Sequence, residues 1–210
     1  MNEKFFALAR EKQHTIIEAG FRIFSRSSYQ KTPVSEIAAE AEISKSLLFH
    51  YFRNKKELYL FLWEHAARLS IKTLSAERCY EPGNLFDRME QGMEAKFRLI
   101  HRHPYMATFV LRAFYEKDPE IRSAIQDSFN RLFAQKEARL LAMLDPQDYR
   151  PGLDLAMMYK QMYWASEGYL WQMAHQGPLD PVQMEADFRR MLVFWRSVYE
   201  NPEKRNTEKE

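Results

Sequence analysis

The chain has 210 residues, 46% of them hydrophobic and 14% aromatic, so it is long and apolar enough to bury a sizeable core. This composition excludes a chain that is disordered as a whole. The formal net charge of +2 lies in the N-terminal third, because residues 1–65 carry ten Lys and Arg against eight Asp and Glu, whereas residues 66–210 carry twenty-one of each.

Neither a secretory signal nor a membrane span is expected. Charges interrupt the apolar residues of the N-terminus, and no stretch approaches the roughly 18 uninterrupted apolar positions of a membrane helix. The cytoplasm is therefore the expected location. The single cysteine, Cys79, excludes an intrachain disulfide and a thiolate zinc cluster, and we expect no cofactor and no metal.

A helix-turn-helix motif is predicted from Thr32 onward. Thr32 can cap a helix whose first position is Pro33 and which runs to about Glu40. Its apolar residues recur at helical spacing at Ile37, Ala38 and Ala41. The turn that follows consists of Ala41, Glu42 and Ile43.

The second helix of the motif begins after Ser44, which can cap it. Leu48 and Phe52, four residues apart, are expected to face inward together. The residues on or beside the outer face are Lys45, Ser46, Leu47, His50 and Tyr51. This outer face is the predicted reading surface for DNA.

The charge of this region suits a polyanionic partner. No acidic residue occurs between Glu42 and Glu57, whereas four basic residues do: Lys45, Arg53, Lys55 and Lys56. Lysine and serine side chains can donate to phosphate oxygens or base edges, and Leu47 can contact a thymine methyl group. The segment therefore predicts binding to double-stranded DNA.

The segment from Ile16 to Leu58 reads IIEAGFRIFSRSSYQKTPVSEIAAEAEISKSLLFHYFRNKKEL. Its informative positions are Ile16, Ala19, Ile23, Phe24, Tyr29, Thr32, Ile37, Ala38, Ser44, Lys45, Leu48 to Phe52, Lys55, Glu57 and Leu58. With this spacing it resembles the DNA-binding domain of the TetR family of transcription regulators. The resemblance implies an all-helical protein with a helix-turn-helix domain and a larger helical domain for ligand binding and dimerisation. The expected DNA contacts are Thr32, Ser44, Lys45, Ser46, Leu47, His50, Tyr51 and Lys55.

Five positions depart from the family's usual residues. Glycine is usual where Ser28, Glu42 and Ser46 stand. Ser28 and Glu42 are expected at turns where glycine most easily adopts a left-handed backbone, so either the turn geometry differs slightly there or strain of about 1 kcal/mol is tolerated. Ser46 and Leu47 replace the commoner Gly-Thr pair on the reading helix, which affects the expected operator sequence. Gly20 stands inside the first helix where alanine is usual, and this indicates close packing there.

A long helix is predicted to join two domains. Asn54 and Glu57 have the spacing of a capping box at its start, and it extends toward Cys79. The predicted divisions are a helix-turn-helix domain at residues 1–54, a connecting helix at 55–80, an effector-binding and dimerisation domain at 81–200 and a disordered polar tail at 201–210.

Proline and glycine signals divide the remaining chain into further helices. One is traced by Leu85, Met89, Gly92 or Met93, Lys96, Phe97 and Ile100, and it ends near His101 to Pro104. A short helix follows, and Asp118-Pro119 begins another that runs to about Leu144. Pro151 is expected to open the next helix and Asp180-Pro181 the last. No segment has the alternation of period two that is typical of strands.

The last two helices carry the predicted subunit interface. The segment LAMMYKQMYWASEGYLWQM, from Leu155 to Met173, is apolar on nearly every side and is expected to be buried on more than one face. In the last helix a narrow apolar seam recurs at intervals of four and three: Met184, Phe188, Met191, Trp195 and Val198. The seam and the resembling family, in which these helices form a dimer bundle, favour a homodimer. The alternative is a monomer in which both helices are ordinary core.

An effector site is predicted from the distribution of soft apolar residues. Apart from Met1, every methionine lies at or after Met89, among aromatic residues that can line an adaptable pocket. The candidate contacts are Met93, Phe97, Phe109, Phe129, Phe133, Tyr159, Tyr163 and Glu167. Glu167 is a carboxylate inside an apolar helix, so it must reach water, pair, or receive a ligand. Ordinary core packing is the alternative for the methionine and aromatic positions.

Catalytic chemistry has little support in the sequence. His101 and His103 would diverge on a helix, and further metal ligands are not apparent. No glycine-rich phosphate loop, GxSxG elbow or HExxH pair occurs. The sequence therefore predicts a transcription regulator that represses from a roughly palindromic operator and is released by a small, largely apolar effector. The alternatives are a DNA-binding regulator without an effector, and a helical enzyme built on Glu167, Tyr159 and Tyr163.

Overall fold

The computed structural model describes residues 3–79, 81, 83–133, 140–175 and 179–207, with residues 132, 133 and 205–207 described by their backbone alone. Over these ranges the chain is helical, and an isolated β-bridge joins Tyr149 to Glu200. The helices are α1 (Glu3–Phe6), α2 (Arg10–Phe24), α3 (Val34–Glu40), α4 (Lys45–Tyr51), α5 (Lys55–Ala76), α6 (Leu85–Arg102), α7 (Pro104–Phe114), α8 (Pro119–Phe133), α9 (Leu155–His175), α10 (Pro181–Tyr199) and α11 (Pro202–Thr207), with a 3-10 turn at Pro146–Asp148. The predicted all-helical fold class is confirmed.

Side-chain caps begin several helices where the sequence predicted them. At the start of α5, Asn54 Oδ1 accepts a hydrogen bond of 2.8 Å from the Glu57 N–H. At the start of α8, Asp118 Oδ1 accepts one of 2.8 Å from the Glu120 N–H, and Asp180 caps α10 in the same way. These acceptors satisfy N–H groups that have no partner inside the helix.

Two predicted helix boundaries differ from the structure. Pro151 does not open α9, because Pro151-Gly152 forms a turn in which Gly152 has a φ of 83°. The helix begins at Leu155 instead, after Asp154. The helix predicted to run from Asp118-Pro119 to about Leu144 is observed as α8, and residues 134–139 of the prediction lie outside the described residues.

The tail that the sequence predicts to be disordered contains α11. Asn201 Oδ1 caps this short helix by accepting from the Glu203 N–H at 3.1 Å. Two contacts join the segment to the 3-10 turn: the Asn201 N–H donates to the Asp148 carbonyl at 2.9 Å, and Lys204 Nζ donates to Asp148 Oδ1 at 2.9 Å. A polar composition did not prevent order, because these polar groups have partners in the folded chain. Residues 208–210 lie outside the described residues.

The chain divides into two compact units, and the first consists of the residues up to Leu69 together with His103–Arg131. In this unit α2 packs against both α3 and α7. Phe109 of α7 is fully buried, with its ring centroid 5.4 Å from that of Phe21 and 4.9 Å from that of Tyr59. The unit therefore groups the N-terminal helices with α7 and most of α8. The divisions predicted at residues 1–54, 55–80 and 81–200 are not tested by this grouping and stay predictions.

The second unit consists of Ser70–Arg102 and the residues from 132 on. Its core cluster is formed by Leu85, Phe86, Tyr149, Met158, Met162, Leu192 and Trp195. Helices α6 and α10 pack on each other, and an ion pair of 2.6 Å joins Asp87 to Arg196. Helix α5 contributes residues to both units. No helix among the described residues is long and apolar enough to span a membrane.

Candidate nucleic-acid interface

Helices α3 and α4 form the predicted helix-turn-helix within the first unit. Its turn closes through the Ile43 N–H, which donates to the Ala38 carbonyl at 3.0 Å. Glu42 has a φ of 53°, so the left-handed backbone predicted at this position is confirmed. Ser28 does not adopt a positive φ, so at this position the geometry differs from that of a left-handed turn.

The reading helix α4 has a polar outer face and an apolar inner face. Ser44 caps it by accepting from the Leu47 N–H at 3.1 Å, as predicted. Leu48 and Phe52 are buried, which confirms that they face inward. The outer residues are Lys45, Ser46, Leu47 and His50, all exposed, and the half-buried Tyr51. The first turn of α4 carries no acidic residue, so nothing on the helix itself opposes an approaching phosphate.

Aromatic side chains that no sequence pattern indicated pack against the buried side of α4. Phe5 of α1 is fully buried, with its ring 5.0 Å from that of Phe52 and 5.1 Å from that of Phe61. The Gln13 side chain holds the connection between α1 and α2 by donating to the Leu8 carbonyl at 2.8 Å. The adjacent aromatic residues at the N-terminus were the available signal. Their partners are distant in the sequence, so no local pattern identified the contact.

Thr32 does not have its predicted role. Helix α3 begins at Val34 after Pro33 and receives no side-chain cap. The Thr32 hydroxyl donates instead to the Ser28 carbonyl at 3.0 Å and lies 2.8 Å from Ser27 Oγ. Only 1% of Thr32 is exposed. The predicted cap is therefore wrong. The buried side chain stabilises the loop before α3, so we leave it out of the DNA contacts.

Lys55, the first residue of α5, is half-buried against the loop that precedes α3. Its Nζ donates to the Gln30 carbonyl at 3.1 Å and lies 4.7 Å from the centroid of the Tyr29 ring. Burial lowers the pKa of Lys55, and nearby acidic groups partly offset this effect. Two of these acidic groups accept hydrogen bonds from Tyr29. Its N–H donates to Glu116 at 2.9 Å, and its hydroxyl donates to Glu120 at 3.1 Å. The Lys55 ammonium is thus already hydrogen-bonded to the Gln30 carbonyl and lies near acidic groups of the protein.

A surface cavity of about 240 Å³ lies beside the same loop. It is lined by Ser28, Gln30, Glu116, Lys117, Asp118 and Pro119. Because this lining is polar and charged, the cavity does not match the apolar effector site that the sequence predicts.

The predicted effector contacts are spread over both units. Phe109 is enclosed by the aromatic side chains of the first-unit core, so we remove it from the effector set. Phe129 also belongs to the first unit, where its ring lies 5.0 Å from that of Phe114. Phe97 is buried in the second unit, and Met93 packs against the core cluster there. The side chain of Phe133 lies outside the described residues.

The remaining effector candidates lie on α9. Tyr159 and Glu167 are half-buried, and Tyr163 is exposed. The side chains of this helix that reach the core are instead Met158 and Met162. Glu167 is therefore not fully buried in an apolar core. Its contact with a ligand stays a prediction.

The apolar seam of α10 packs inside its own subunit. Met184 and Trp195 are each only 6% exposed. The Phe188 ring packs on Tyr169 with a centroid distance of 5.2 Å, and Met191 packs against the core cluster. Met184 and Trp195 are therefore buried within their own subunit, whereas Phe188 and Met191 are only half-buried, and their place in a subunit interface stays a prediction. Helical spacing identified a buried face correctly, but it could not tell which partner buries that face.

Helices α9 and α10 also expose large apolar side chains. On α9 they include Met157, Trp164 and Trp171, which are 46%, 52% and 54% exposed and lie seven residues apart. On α10 they are Val182, Val193, Phe194 and Val198, the last of which belonged to the predicted interface. On α9 these exposed side chains recur on one helix face, and such a pattern indicates a surface for another protein. We call these seven residues the α9/α10 apolar surface.

The two histidines singled out in the sequence each lie beside a carboxylate. His101 Nε2 is 3.3 Å from Glu185 Oε2, and His103 Nδ1 is 3.3 Å from Glu18 Oε1. Within the part of the chain that the structure describes, no group of three or more potential metal ligands comes together.

Comparison with known proteins identifies relatives of the N-terminal region. The family model described as "Bacterial regulatory proteins, tetR family" matches residues 16–61. The HTH-type transcriptional regulator HbdR of Aromatoleum sp. (strain CIB) is 40% identical over 55 residues, which are 26% of this chain and 24% of that protein. The chain thus aligns with about a quarter of the length of this curated relative.

Solved structures share the fold over most of the chain. A TetR-like transcriptional regulator from Rhodococcus sp. RHA1 has a TM-score of 0.64 at 21% identity, covering 90% of this chain and 97% of that one. The transcriptional regulator FadR from Bacillus subtilis, solved in complex with stearoyl-CoA, has a TM-score of 0.66 at 18% identity, covering 87% and 96%. At these identities the likeness shows the fold.

Proposed function

Since the chain belongs to the TetR family of bacterial DNA-binding transcription regulators, we propose that it acts as a homodimeric repressor of a roughly palindromic operator and is released by a small apolar effector. The observation that carries this proposal is the outer face of α4. Lys45, Ser46 and Leu47 are exposed there, whereas Leu48 and Phe52 on the inner side are buried. The helical enzyme considered above loses its support, because the matched family and relatives are regulators.

The proposed DNA contacts divide into two groups. Lys45, His50, Tyr51 and Lys55 bind phosphates and so position the motif on the duplex. Ser46 and Leu47 reach base edges in the major groove, with Ser44 at the start of the helix beside them. Lys45 contributes more than Lys55 to affinity, because the Lys55 ammonium is also bound to the Gln30 carbonyl.

A second copy of the chain is the proposed occupant of the α9/α10 apolar surface. A pairing related by a two-fold axis buries the surface against itself and presents two reading helices to two half-sites about 34 Å apart. Gly168 supports close approach of the copies, because it lies between Trp164 and Trp171 on this face of α9 and a β-carbon built there meets no atom within 4 Å.

An effector is supported by the fold likeness to FadR, which was solved with stearoyl-CoA. The proposed effector occupies the second unit, and the residues that remain candidates there are Met93, Phe97, Phe133, Tyr159, Tyr163 and Glu167. Helix α5 has residues in both units, so a change in the second unit can alter the spacing of the two reading helices.

The experiment has two stages. Bound DNA is first selected from a random pool with the purified full-length protein, and we expect an enriched site of two inverted half-sites. Affinity for that site is then measured at several salt concentrations for the wild type, Lys45→Ala and Lys72→Ala. We expect Lys45→Ala to weaken binding and to reduce the slope of log affinity against log salt by about 0.9, because one phosphate contact is lost.

Lys72→Ala is the matched control, since Lys72 is an exposed lysine of α5 in the second unit and is expected to leave both quantities unchanged. Failure to enrich any DNA sequence would contradict the proposed function. Unchanged binding by Lys45→Ala would remove α4 as the reading surface.

A further inference from the structure

One lysine of α6 lies on the inward face of its helix. The buried residues Leu85, Gly92 and Leu99 recur every seven positions and define this face. Lys96 follows Gly92 by four residues and precedes Leu99 by three, so it lies in the middle of the same face. The exposed residues of α6, which include Asp87, Glu90 and Arg98, occupy the opposite side.

Lys96 nevertheless remains accessible to water, although its chain neighbours Ala95 and Phe97 are both buried. Desolvation by neighbouring protein atoms nevertheless lowers the pKa of Lys96. An inward-facing side chain that is exposed and yet desolvated by neighbouring protein atoms is typical of the wall of a cleft or cavity, and Lys96 has this position in the second unit.

No described carboxylate forms an ion pair with Lys96. The acidic groups of the same helix are paired elsewhere: Glu94 lies 3.9 Å from Arg98 and 3.8 Å from Arg189, on the other side of α6. The Cys79 thiol is the titratable group that acts on the Lys96 ammonium. An ammonium surrounded by protein without a counter-charge is unfavourable, and an anion bound beside it removes this cost.

The residues around Lys96 on this face are apolar. They are Met89, Gly92, Met93, Leu99 and Ile100. A β-carbon at Gly92 would lie 3.7 Å from Leu74 and 3.8 Å from the Cys79 sulfur, so apolar groups also border the face from α5 and the segment after it. The site thus combines one positive charge with apolar walls.

We propose that Lys96 binds the acidic group, a carboxylate or a phosphate, of an effector whose remainder is an apolar chain. This inference rests on the proposed function, because it names the chemical class of the effector, and it changes the expected ligand from merely apolar to apolar and anionic. An anionic head pairs with the Lys96 ammonium, and the apolar chain lies against the methionine and leucine side chains.

The experiment compares three probes with the same chain length: dodecanoate, dodecyl phosphate and 1-dodecanol. Each is titrated calorimetrically into the full-length wild type, Lys96→Met, Lys96→Arg and the control Lys72→Met. We expect the wild type to bind at least one acid tenfold or more tightly than the alcohol. Lys96→Met should lose this preference, whereas Lys96→Arg and Lys72→Met should keep it. Preference for one of the two acids identifies the head group.

A merely structural role for Lys96 would not change the preference for acid over alcohol. Equal binding of acids and alcohol by the wild type, no binding of any probe, or an unchanged preference in Lys96→Met would overturn the inference. Operator binding is measured separately, so loss of the Lys96 inference leaves the DNA-binding proposal standing.

Discussion

Gly20 in α2 packs directly against Leu62 of α5, such that a β-carbon built on Gly20 would lie 2.6 Å from Leu62 Cδ1. Leu62 is fully buried and has little room to move. The close packing that the sequence indicated at Gly20 is therefore confirmed. Gly20→Ala should lower the free energy of unfolding by roughly 1–3 kcal/mol, because overpacking outweighs the better helix propensity of alanine.

Gly92 of α6 is the matched control for this prediction. A β-carbon there would meet Leu74 at 3.7 Å, an ordinary contact. Gly92→Ala should therefore raise the free energy of unfolding by roughly 0.5–1 kcal/mol. Urea unfolding of both variants checks the pair. Changes of the same sign would contradict the packing argument.

Glu42, in the turn of the helix-turn-helix, has a φ of 53° that side chains with a β-carbon adopt at a cost. Glu42→Gly should relieve this strain and stabilise the protein by roughly 1 kcal/mol relative to Glu42→Ala, which removes the same charge but keeps the β-carbon. Thermal and urea unfolding of the two variants measure the difference. Equal stabilities would show that the turn is not strained at this residue.

Phe194 and Trp195 are neighbours on α10 with opposite environments, at 61% and 6% exposed. Phe194→Glu should give a folded subunit that fails to dimerise, because the charge falls in the α9/α10 apolar surface. Trp195→Glu should instead destabilise the subunit by roughly 3–5 kcal/mol or prevent folding, because it removes a core aromatic residue. Analytical ultracentrifugation and circular dichroism separate the outcomes. A Phe194→Glu protein that sediments as the wild type does would place the interface elsewhere.

Tyr169 of α9 donates a hydrogen bond of 3.0 Å to Asp187 of α10. Burial and then this hydrogen bond raise the pKa of Tyr169 to about 12, above the ordinary value of about 10. The stability that the residue contributes is therefore fully present below about pH 10 and is lost as the pH rises through about 12.

Tyr169→Phe keeps the ring contact with Phe188 but removes the titrating hydroxyl. At neutral pH we expect it to be less stable than the wild type by roughly 0.5–1.5 kcal/mol. Between about pH 10 and 12 its free energy of unfolding should fall less steeply, because it lacks this proton loss. Urea unfolding across that range provides the measurement, and parallel curves for the two proteins would contradict the assignment.

Ser46 and Leu47 are exposed on the reading helix and stand where the family usually has Gly-Thr. Replacing Ser46 by glycine and Leu47 by threonine should change which operator sequence is enriched, while the salt dependence stays close to that of the wild type, since no phosphate contact is lost. Selection from a random DNA pool compares the two proteins. The same enriched site for both would mean that neither side chain reaches a base.

Features that depend on near neighbours in the chain were determined by the sequence. The helix caps at Ser44, Asp118 and Asp180 were predicted correctly, because a capping oxygen bonds an N–H only two or three residues away. The inward positions of Leu48 and Phe52 followed from helical periodicity, and the left-handed backbone at Glu42 followed from the glycine that is usual at this position in the resembling family. These local rules identified the DNA-binding motif without any tertiary information.

Features that depend on the choice of a distant partner were decided by the tertiary structure. The seam containing Met184 and Trp195 was recognisable as apolar, but only the folded chain shows that its own core buries it. The same holds for the packing of Phe5 beneath α4, for the burial of Thr32 and for the inward yet accessible position of Lys96. Helical periodicity depends on residues within one or two turns, whereas the surface that covers a face is supplied by residues far away in the sequence.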